Sequence, residues 1–181
     1  MLANDMRPTL YYCNPNIYPE EEYLVRLNEL TRYATQLGLT VIDEDYNHES
    51  WLTAIAGLEQ EPERGSRCLQ CFKYRLLRTA QKAQELHLPL FTTTLASSRW
   101  KRLDQIEEAG RWAEAATAPT TVPCDSFAGQ ETSAPATAPS SSPLFLARNW
   151  RKGGLQERRN QLLKENNFYN QLYCGCEFSM R

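Results

Sequence analysis

Four cysteines in two close pairs are the residues of this chain best suited to chemistry. Cys68 and Cys71 form a C-x-x-C pair, and Cys174 and Cys176 form a C-G-C pair near the C-terminal end. On a helix, residues three positions apart share a face, so the sulfurs of the first pair would point the same way. Such a pair serves as a redox dithiol, as half of a zinc site or as half of an iron–sulfur site. The structural alternative is two cysteines buried in a core.

The second pair has the spacing of a redox switch. Two sulfurs this close can bind one metal ion together, or form a disulfide in a strained ring. Gly175 favours such a turn because glycine adopts backbone angles that are closed to other residues. Strained disulfides are easily reduced, so Cys174 and Cys176 are candidates for electron relay rather than for a structural crosslink.

The residues around the first pair and the distance between the two pairs in the sequence indicate which kinds of metal or redox site are possible. Arg64 and Arg67 precede the first pair at the start of a predicted helix, and both features favour thiolates. The pairs lie 103 positions apart, from Cys71 to Cys174, whereas a four-cysteine zinc ribbon places its pairs within about 20 residues of each other. The spacing argues against a zinc ribbon and leaves open a zinc or iron–sulfur site that the fold assembles.

The elements that position these cysteines alternate between strands and helices. Apolar runs predict strands at 9–13, 39–42, 89–95 and 144–147, and periodic patterns predict helices at 48–58, 68–86, 103–116 and 155–166. A further helix opens at Pro19 and ends at Gly38. Its predicted inward stripe consists of Tyr23, Leu24, Leu27, Leu30, Ala34 and Leu37. The alternation predicts an α/β fold with a mainly parallel sheet flanked by helices.

A segment of unusual composition separates the last strand from the helix before it. From 115 to 143, 22 of 29 residues are Ala, Thr, Ser or Pro, and none is Lys or Arg. Such a composition buries too little apolar surface to offset the entropy of ordering it. We therefore predict a disordered insertion at 115–143 within a single α/β domain that spans 1–181. Cys124 lies inside it and is interpreted as an exposed thiol without a function.

Length and composition favour a single globular domain. The chain has 181 residues, of which 41% are hydrophobic and 23% are charged, and these fractions are typical of globular proteins. No stretch approaches the about 18 apolar residues of a membrane span, and the first ten residues contain no apolar signal segment. We therefore expect a cytoplasmic protein without membrane partners.

A basic stretch near the C-terminal end is a candidate surface for RNA, although the net charge of the chain is −2. Between 148 and 181 there are seven Lys or Arg and three Glu. Solvated helix faces are the simpler interpretation of such runs, and Trp150 would either stack on a base or pack at the rim of the core. The candidates for phosphate contacts are Arg148, Arg151, Lys152, Arg158 and Arg159.

Longer motifs surround both cysteine pairs. They are Y-C-N-P-N-I-Y-P from Tyr12, E-Y from Glu22, Arg26, G-L-E from Gly57, P-E-R-G from Pro62, R-C-L-Q-C-F from Arg67, R-L from Arg75, F-T-T-T-L from Phe91, K-G-G from Lys152 and Y-N-Q-L-Y-C-G-C-E-F-S from Tyr169. As a set they resemble the motifs of the cobalamin-independent epoxyqueuosine reductases, the QueH family. The resemblance covers nearly the whole chain outside 115–143.

The resemblance implies a fold, an activity and a set of ligands. The fold would be Rossmann-like, and the activity would be the reduction of epoxyqueuosine to queuosine at the wobble position of tRNA, the final step of queuosine biosynthesis. Cys68 and Cys71 would be ligands of a 4Fe–4S cluster, with room for an additional iron, and Cys174 and Cys176 would form a redox-active disulfide. The partners would be tRNA that carries epoxyqueuosine and an electron donor that the sequence does not identify.

The start of the chain departs from the family pattern. The family opens with a strand that ends in Cys-Cys-Ala-Pro and supplies the other two cluster ligands, whereas only Met1 to Arg7 precede Pro8 here. We therefore expect an N-terminally truncated domain in which these two ligands are missing. Cys13 lies at a position that is usually aromatic in the family, and we do not assign it as a ligand.

Two other classes of function stay open beside the oxidoreductase. One is an RNA-interaction module that binds zinc or iron and has no redox activity. The other is a nucleotide-dependent tRNA sulfur-transfer enzyme with a similar sheet. The second class requires a phosphate-binding S-G-G-x-D-S loop after its first strand, and the sequence contains none.

Overall fold

The computed structural model describes residues 1–2, 5–118 and 142–180. None of the helices in these ranges is both long and apolar enough to cross a membrane. The part of the predicted insertion at 119–141, with Cys124, lies outside the described residues, so its predicted disorder stays a prediction. The helices and strands are β1 (Leu10–Tyr12), α1 (Glu20–Gln36), β2 (Val41–Asp43), α2 (His48–Ala54), α3 (Ser66–Glu85), β3 (Leu90–Phe91), α4 (Leu103–Ala116), β4 (Leu144–Phe145) and α5 (Leu155–Glu165).

The strands pair in parallel, as predicted, but they form two small sheets. β1 lies beside β2 with Leu10 opposite Val41, and β3 lies beside β4 with Leu90 opposite Leu144. Among the described residues each sheet has two strands. The structure therefore supports a mixed α/β fold, whereas a single Rossmann-like sheet stays an expectation of the family resemblance.

The strand predicted at 89–95 is wrong beyond Phe91. Thr93 turns the chain into a short 3-10 helix at Thr94–Ser97, and its hydroxyl accepts a hydrogen bond from the Leu95 N–H over 3.2 Å. The run of threonines has a high strand propensity. A hydroxyl that binds the local backbone competes with sheet pairing, however, and here the local turn prevails.

The first helix begins and ends as predicted. Pro19 precedes its first turn, which carries three glutamates, and these acidic groups interact favourably with the positive end of the helix dipole. Gly38 follows the helix with a φ of +62°, a left-handed conformation that glycine adopts without strain.

The buried face of α1 differs from the predicted stripe. Tyr23 and Ala34 are buried, whereas Leu24 and Leu37 are exposed, so the stripe was wrong at these two leucines. Arg26 is buried instead. Hydrophobicity alone assigns leucine to the inside and arginine to the outside, and the partners of Arg26, described below, reverse that order.

The main core lies where α3 and α4 pack over β3 and β4. Gly110 of α4 allows this close approach, because a Cβ atom at that position would lie 2.2 Å from a ring carbon of Phe145. The two rings of Phe91 and Phe145 lie 5.2 Å apart between their centroids. Other buried members of this core are Phe72, Leu76, Ala80, Ala83, Ala96, Ile106, Ala109 and Ala113.

Substitution of Gly110 by alanine tests this packing. In an ordinary helix, alanine is more favourable than glycine by about 1 kcal/mol. Here the added methyl group overlaps the Phe145 ring, so we expect Gly110→Ala to lower the free energy of unfolding by about 1–3 kcal/mol in chemical denaturation. Glu107→Ala, at an exposed position of the same helix, should change it by less than about 0.5 kcal/mol. A more stable Gly110→Ala protein would contradict the packing.

Candidate active site

The first cysteine pair lies in the first turns of α3. The helix begins at Ser66, so Cys68 and Cys71 lie one turn apart on one face. The backbone N–H of Arg64 donates a hydrogen bond to Sγ of Cys68 over 3.2 Å. Arg64 has a φ of +71°, and such a conformation costs a non-glycine residue about 1–3 kcal/mol. The backbone that supplies a donor to the sulfur is thus a strained one.

Arg67 organises the loop before α3. Its side chain is buried, and Nη1 donates hydrogen bonds to the carbonyl oxygens of Glu59 and Glu61, each over 2.6 Å. From α4, Gln105 donates a further hydrogen bond to the Arg64 carbonyl over 3.0 Å. The loop that carries the donor to Cys68 is therefore fixed from two helices.

Burial outweighs positive charge at the first pair. It raises the pKa of both Cys68 and Cys71, although the Arg64 N–H lowers the first and the Arg75 guanidinium lowers the second. The loop before the helix thus favours the Cys68 thiolate as predicted, but burial is the larger effect at both thiols. Sequence patterns show nearby arginines but not the depth at which a sulfur is buried.

The second pair occupies a tight turn, as its glycine predicted. Gly175 has a φ of +102°, and its carbonyl oxygen accepts a hydrogen bond from the Tyr18 N–H over 2.8 Å. A Cβ atom on Gly175 would lie 2.8 Å from Cγ1 of Ile17 and 3.0 Å from Nη1 of Arg26. The glycine is thus required both for the backbone angle and for the space beside the Asn-Pro-Asn-Ile segment.

Arg26 holds the backbone of the second pair in place. Its Nε donates to a carboxylate oxygen of Glu22 over 2.7 Å. Nη1 donates to the Cys174 carbonyl and Nη2 to the Tyr173 carbonyl, each over 3.2 Å. All three nitrogens of a buried guanidinium are therefore used, and two of them bind the segment that carries the C-G-C pair.

His48 connects the residue after the second pair, Glu177, to the Asn-Pro-Asn segment. No sequence pattern indicated this role. Its Nδ1 lies 2.7 Å from the Pro15 carbonyl oxygen and its Nε2 lies 2.9 Å from a carboxylate oxygen of Glu177. The N-cap of α2 is the preceding residue, Asn47, whose side chain accepts from the Ser50 N–H over 2.9 Å.

The fold brings the two cysteine pairs together. Cys176 packs against Cys71 in a small buried cluster with Trp51 and Ile55. Cys174 lies close enough to Cys68 and Cys71 for its charge to raise the pKa of both. All four thiols are free.

Lys101 distinguishes Cys174 from the other thiols. Its Nζ donates a hydrogen bond to Sγ of Cys174 over 2.9 Å. Burial alone would raise the pKa of Cys174, but Lys101 and Arg75 outweigh that effect, so the pKa lies below its ordinary value. The pKa of Cys176, in contrast, is raised by burial. No motif in the sequence pointed to Lys101, which precedes α4 in a loop.

Cys68 and Cys71 fit two positions of a thiolate-bound metal group. The described residues contain no group of three or more His, Cys, Asp or Glu side chains arranged to bind a metal ion, so further ligands would have to come from elsewhere. Among the described residues, the fully buried indole N–H of Trp51 has no acceptor at standard hydrogen-bond geometry, but it lies near enough to the sulfur of Cys71 to lower the pKa of that thiol. Such a donor suits a thiolate or a cluster sulfide, because hydrogen bonds to sulfur tune these groups.

The other two cysteines lie outside this arrangement or outside the described residues. Cys13 is buried, and burial raises its pKa to about 11. Its carbonyl oxygen accepts a hydrogen bond from Nε of Arg75 over 3.0 Å. Cys13 thus contributes through its backbone to positioning an arginine beside the thiols. Cys124 is not among the described residues.

Four of the five predicted RNA-binding residues are exposed, and the fifth, Arg151, binds backbone carbonyl groups. Arg148, Lys152, Arg158 and Arg159 are exposed, and Arg158 lies 3.6 Å from Glu165. Their predicted contacts with phosphates stay predictions.

Arg151, by contrast, binds backbone. Its Nη2 donates to the carbonyl oxygens of Ser98 and Lys101, the latter over 2.7 Å. It therefore holds the loop that carries Lys101. Trp150 donates from its indole N–H to the Thr93 carbonyl over 3.0 Å and packs against the main core, which supports the rim interpretation over base stacking.

A cavity of about 250 Å³ opens where β3 and β4 end. Ligands of parallel α/β proteins bind beyond the carboxyl ends of the strands, which is where this cavity lies. Its polar lining includes Thr93, Glu107, Arg148 and Asn149. One of the exposed basic candidates is therefore also part of a concave site.

Comparisons with known proteins agree with the motifs. A family model described as "Epoxyqueuosine reductase QueH" matches residues 1–128 and 126–181 of this chain. The protein of that name from Histophilus somni is 38% identical over 173 residues, which cover 96% of this chain and 62% of the relative. The Haemophilus influenzae relative is 35% identical over 181 residues, covering 100% and 64%. The Acinetobacter baylyi relative is 35% identical over 183 residues, covering 100% and 72%. The chain thus spans less than two thirds of the length of the first two.

Two glycine substitutions separate backbone strain from crowding at the second pair. Gly57 has a φ of +82° but no atom within 4 Å of an added Cβ, whereas Gly175 has both a positive φ and close neighbours. We expect Gly57→Ala to cost about 1–2 kcal/mol of unfolding free energy and Gly175→Ala about 1–3 kcal/mol more. Hydrogen exchange should show faster opening of 169–180 in Gly175→Ala only. Equal effects of the two changes would contradict the crowding described here.

Proposed function

Since the chain belongs to the epoxyqueuosine reductase QueH family, we propose that it reduces epoxyqueuosine to queuosine at the wobble position of tRNA. The meeting of the two cysteine pairs carries this proposal. Cys71 and Cys176 share one buried cluster, and Cys174 acts electrostatically on both cysteines of the first pair. A metal-ligand pair and a dithiol so close together suit the transfer of electrons between them.

The proposed reaction needs two electrons, two protons and a way to release oxygen. Both C–O bonds of the epoxide break, a C=C bond forms, and the oxygen leaves as water. Oxidation of the Cys174 and Cys176 thiols to a disulfide supplies two electrons and two protons, so the equation balances. An external electron donor then returns the pair to the dithiol.

We assign Cys68 and Cys71 as two of the four ligands of a 4Fe–4S cluster. When bound, the cluster would supply one-electron transfer and a Lewis-acidic iron. The chain's own contributions are the paired sulfurs on α3, the Arg64 N–H that donates to Cys68 and the indole of Trp51 beside Cys71. The remaining two ligands come from outside the described residues in this proposal.

The exposed basic residues are our candidates for the tRNA. An anticodon loop is single-stranded, and such loops are recognised through basic contacts and through bases that are turned out of the stack. Arg148 is both exposed and part of the cavity at the ends of β3 and β4. We propose that Arg148, Lys152, Arg158 and Arg159 contact phosphates of the tRNA, and that Arg151 acts through its backbone contacts.

Turnover tests the assigned dithiol. A full-length counterpart that carries the family's upstream Cys-Cys pair is reconstituted anaerobically with iron and sulfide and incubated with tRNA that contains epoxyqueuosine and a chemical reductant. Queuosine is then measured by mass spectrometry of the nucleosides. We expect Cys174→Ala/Cys176→Ala to abolish multiple turnover, because no pair remains to cycle between dithiol and disulfide. Cys124→Ala, which removes a cysteine outside both pairs, is the matched control and should turn over like the parent. Full turnover by the double variant would refute the role of the pair.

Metal analysis tests the assigned ligands. In a full-length counterpart that supplies the family's upstream Cys-Cys pair, we expect about four irons and four sulfides per reconstituted chain, with a brown colour and the charge-transfer absorbance of a cluster. Cys68→Ser and Cys71→Ser should each lose most of the iron and sulfide, whereas Cys124→Ser should retain both. A colourless protein that binds a single zinc ion would instead favour a metal-binding RNA-interaction module. Unchanged iron content in both serine variants would contradict the ligand assignment.

A further inference from the structure

We propose that Lys101 makes Cys174 the reactive sulfur of the C-G-C pair, with Cys176 as its buried partner. Lys101 is not part of any cysteine motif, and the proposal deepens the proposed function because it assigns unequal roles to the two sulfurs. It rests on the dithiol role of the pair. Its test below needs neither tRNA nor a cluster, so the two proposals can fail separately.

Lys101 contacts the sulfur of Cys174 directly, and an aromatic ring lies beside its ammonium group. The distance from Nζ to Sγ is 2.9 Å, which is short for a hydrogen bond to sulfur. The ammonium group also lies 5.5 Å from the centroid of the Phe72 ring, so one side of it faces an aromatic surface. A charge-assisted hydrogen bond of this kind is about twice as strong as a neutral one.

The backbone of Lys101 is fixed on both sides of this contact. Arg151 donates to the Lys101 carbonyl over 2.7 Å, and the Lys101 N–H donates to the Ser98 carbonyl over 3.2 Å. Arg64 donates from Nε to the carbonyl of Trp100 over 2.8 Å. A long flexible side chain is thus presented from an ordered loop, which reduces the entropy lost when it binds the sulfur.

The two sulfurs of the pair lie in opposite environments. Cys174 is partly exposed and faces Lys101 and Arg75, whose charges together outweigh burial and the opposing charge of Glu63. Cys176 is instead buried in the cluster with Trp51 and Ile55, surroundings that disfavour a charged sulfur. One sulfur is therefore prepared to carry a negative charge and the other is not.

This difference affects the chemistry of reduction. When an external dithiol reduces the Cys174–Cys176 disulfide, the S–S bond breaks, the pair gains two electrons and the external dithiol becomes a disulfide. The products on the protein are a Cys174 thiolate and a Cys176 thiol, with one proton released to solvent. Because Lys101 stabilises the thiolate product, it favours the reduced pair over the disulfide.

Alkylation of the reduced, metal-free chain with limiting iodoacetamide at pH 7 tests the assignment, with each cysteine followed by peptide mass spectrometry. In the parent chain we expect Cys174 to react before Cys176. Lys101→Met should slow Cys174 at least about threefold and reduce this preference, because the thiolate loses its charged donor. Lys101→Arg keeps the charge and should keep the preference. Lys164→Met removes an exposed lysine on α5 and should leave both rates unchanged.

A redox equilibrium gives a second readout that a merely structural role would not move. In a series of glutathione buffers, the Cys174–Cys176 pair of Lys101→Met should be more oxidised than that of the parent at the same ratio of reduced to oxidised glutathione. Thermal unfolding confirms that both proteins are folded. If Lys101→Met alkylates Cys174 at the parent rate and titrates with the parent midpoint, the proposal is overturned. If the preference holds but no queuosine forms in any turnover assay, the Lys101 assignment stands and the proposed activity fails.

Discussion

The buried guanidinium of Arg26 is the interaction on which the arrangement of the thiols depends. A buried charge is unfavourable unless it is paired and fully hydrogen-bonded. Arg26 meets this condition only when the Glu22 carboxylate and the carbonyl oxygens of Tyr173 and Cys174 are all in place. The C-G-C pair itself lies outside the α-helices and strands, and a short 3-10 helix at Glu177–Ser179 follows it. The hydrogen bonds of Arg26 therefore order a segment that has no sheet or helix pairing of its own, next to the cluster in which Cys176 meets Cys71.

Charge rather than burial distinguishes the thiols of this site. Burial raises the pKa of Cys68, Cys71 and Cys176, and the same effect acts on Cys174. Only at Cys174 do nearby cations lower the pKa by more than burial raises it, because Lys101 donates a hydrogen bond to the sulfur itself. At the first pair burial outweighs the nearby cations, whereas at Cys174 the cations outweigh burial. The proposed metal ligands and the proposed dithiol would therefore have different protonation behaviour within one small region.

Local signals predicted much of the fold, and long-range contacts explain what they missed. The helix at 103–116 and the ends of α1 follow from periodicity and capping residues, which act within a few positions of the sequence. The third strand failed at Thr93, where a side chain caps a local turn. Leu24 is exposed and Arg26 is buried, against expectation, because two carbonyl partners of Arg26 lie 147 and 148 positions further along the chain. The motifs identified both cysteine pairs, but Lys101 belongs to no pattern and became visible only through its contact with Cys174.

Arg151 connects the basic stretch to the loop that carries Lys101, a role that its predicted phosphate binding did not suggest. It lies in the basic stretch that we assign to tRNA, yet its guanidinium holds the carbonyl oxygens of Ser98 and Lys101. A ligand that displaces this stretch must weaken those bonds and so loosen the loop that presents Lys101 to the sulfur. Since coupling between two sites is reciprocal, the oxidation state of the C-G-C pair would then alter the affinity for that ligand by the same factor. Under the proposed function, one arginine side chain would thereby couple tRNA binding to the redox state of the C-G-C pair.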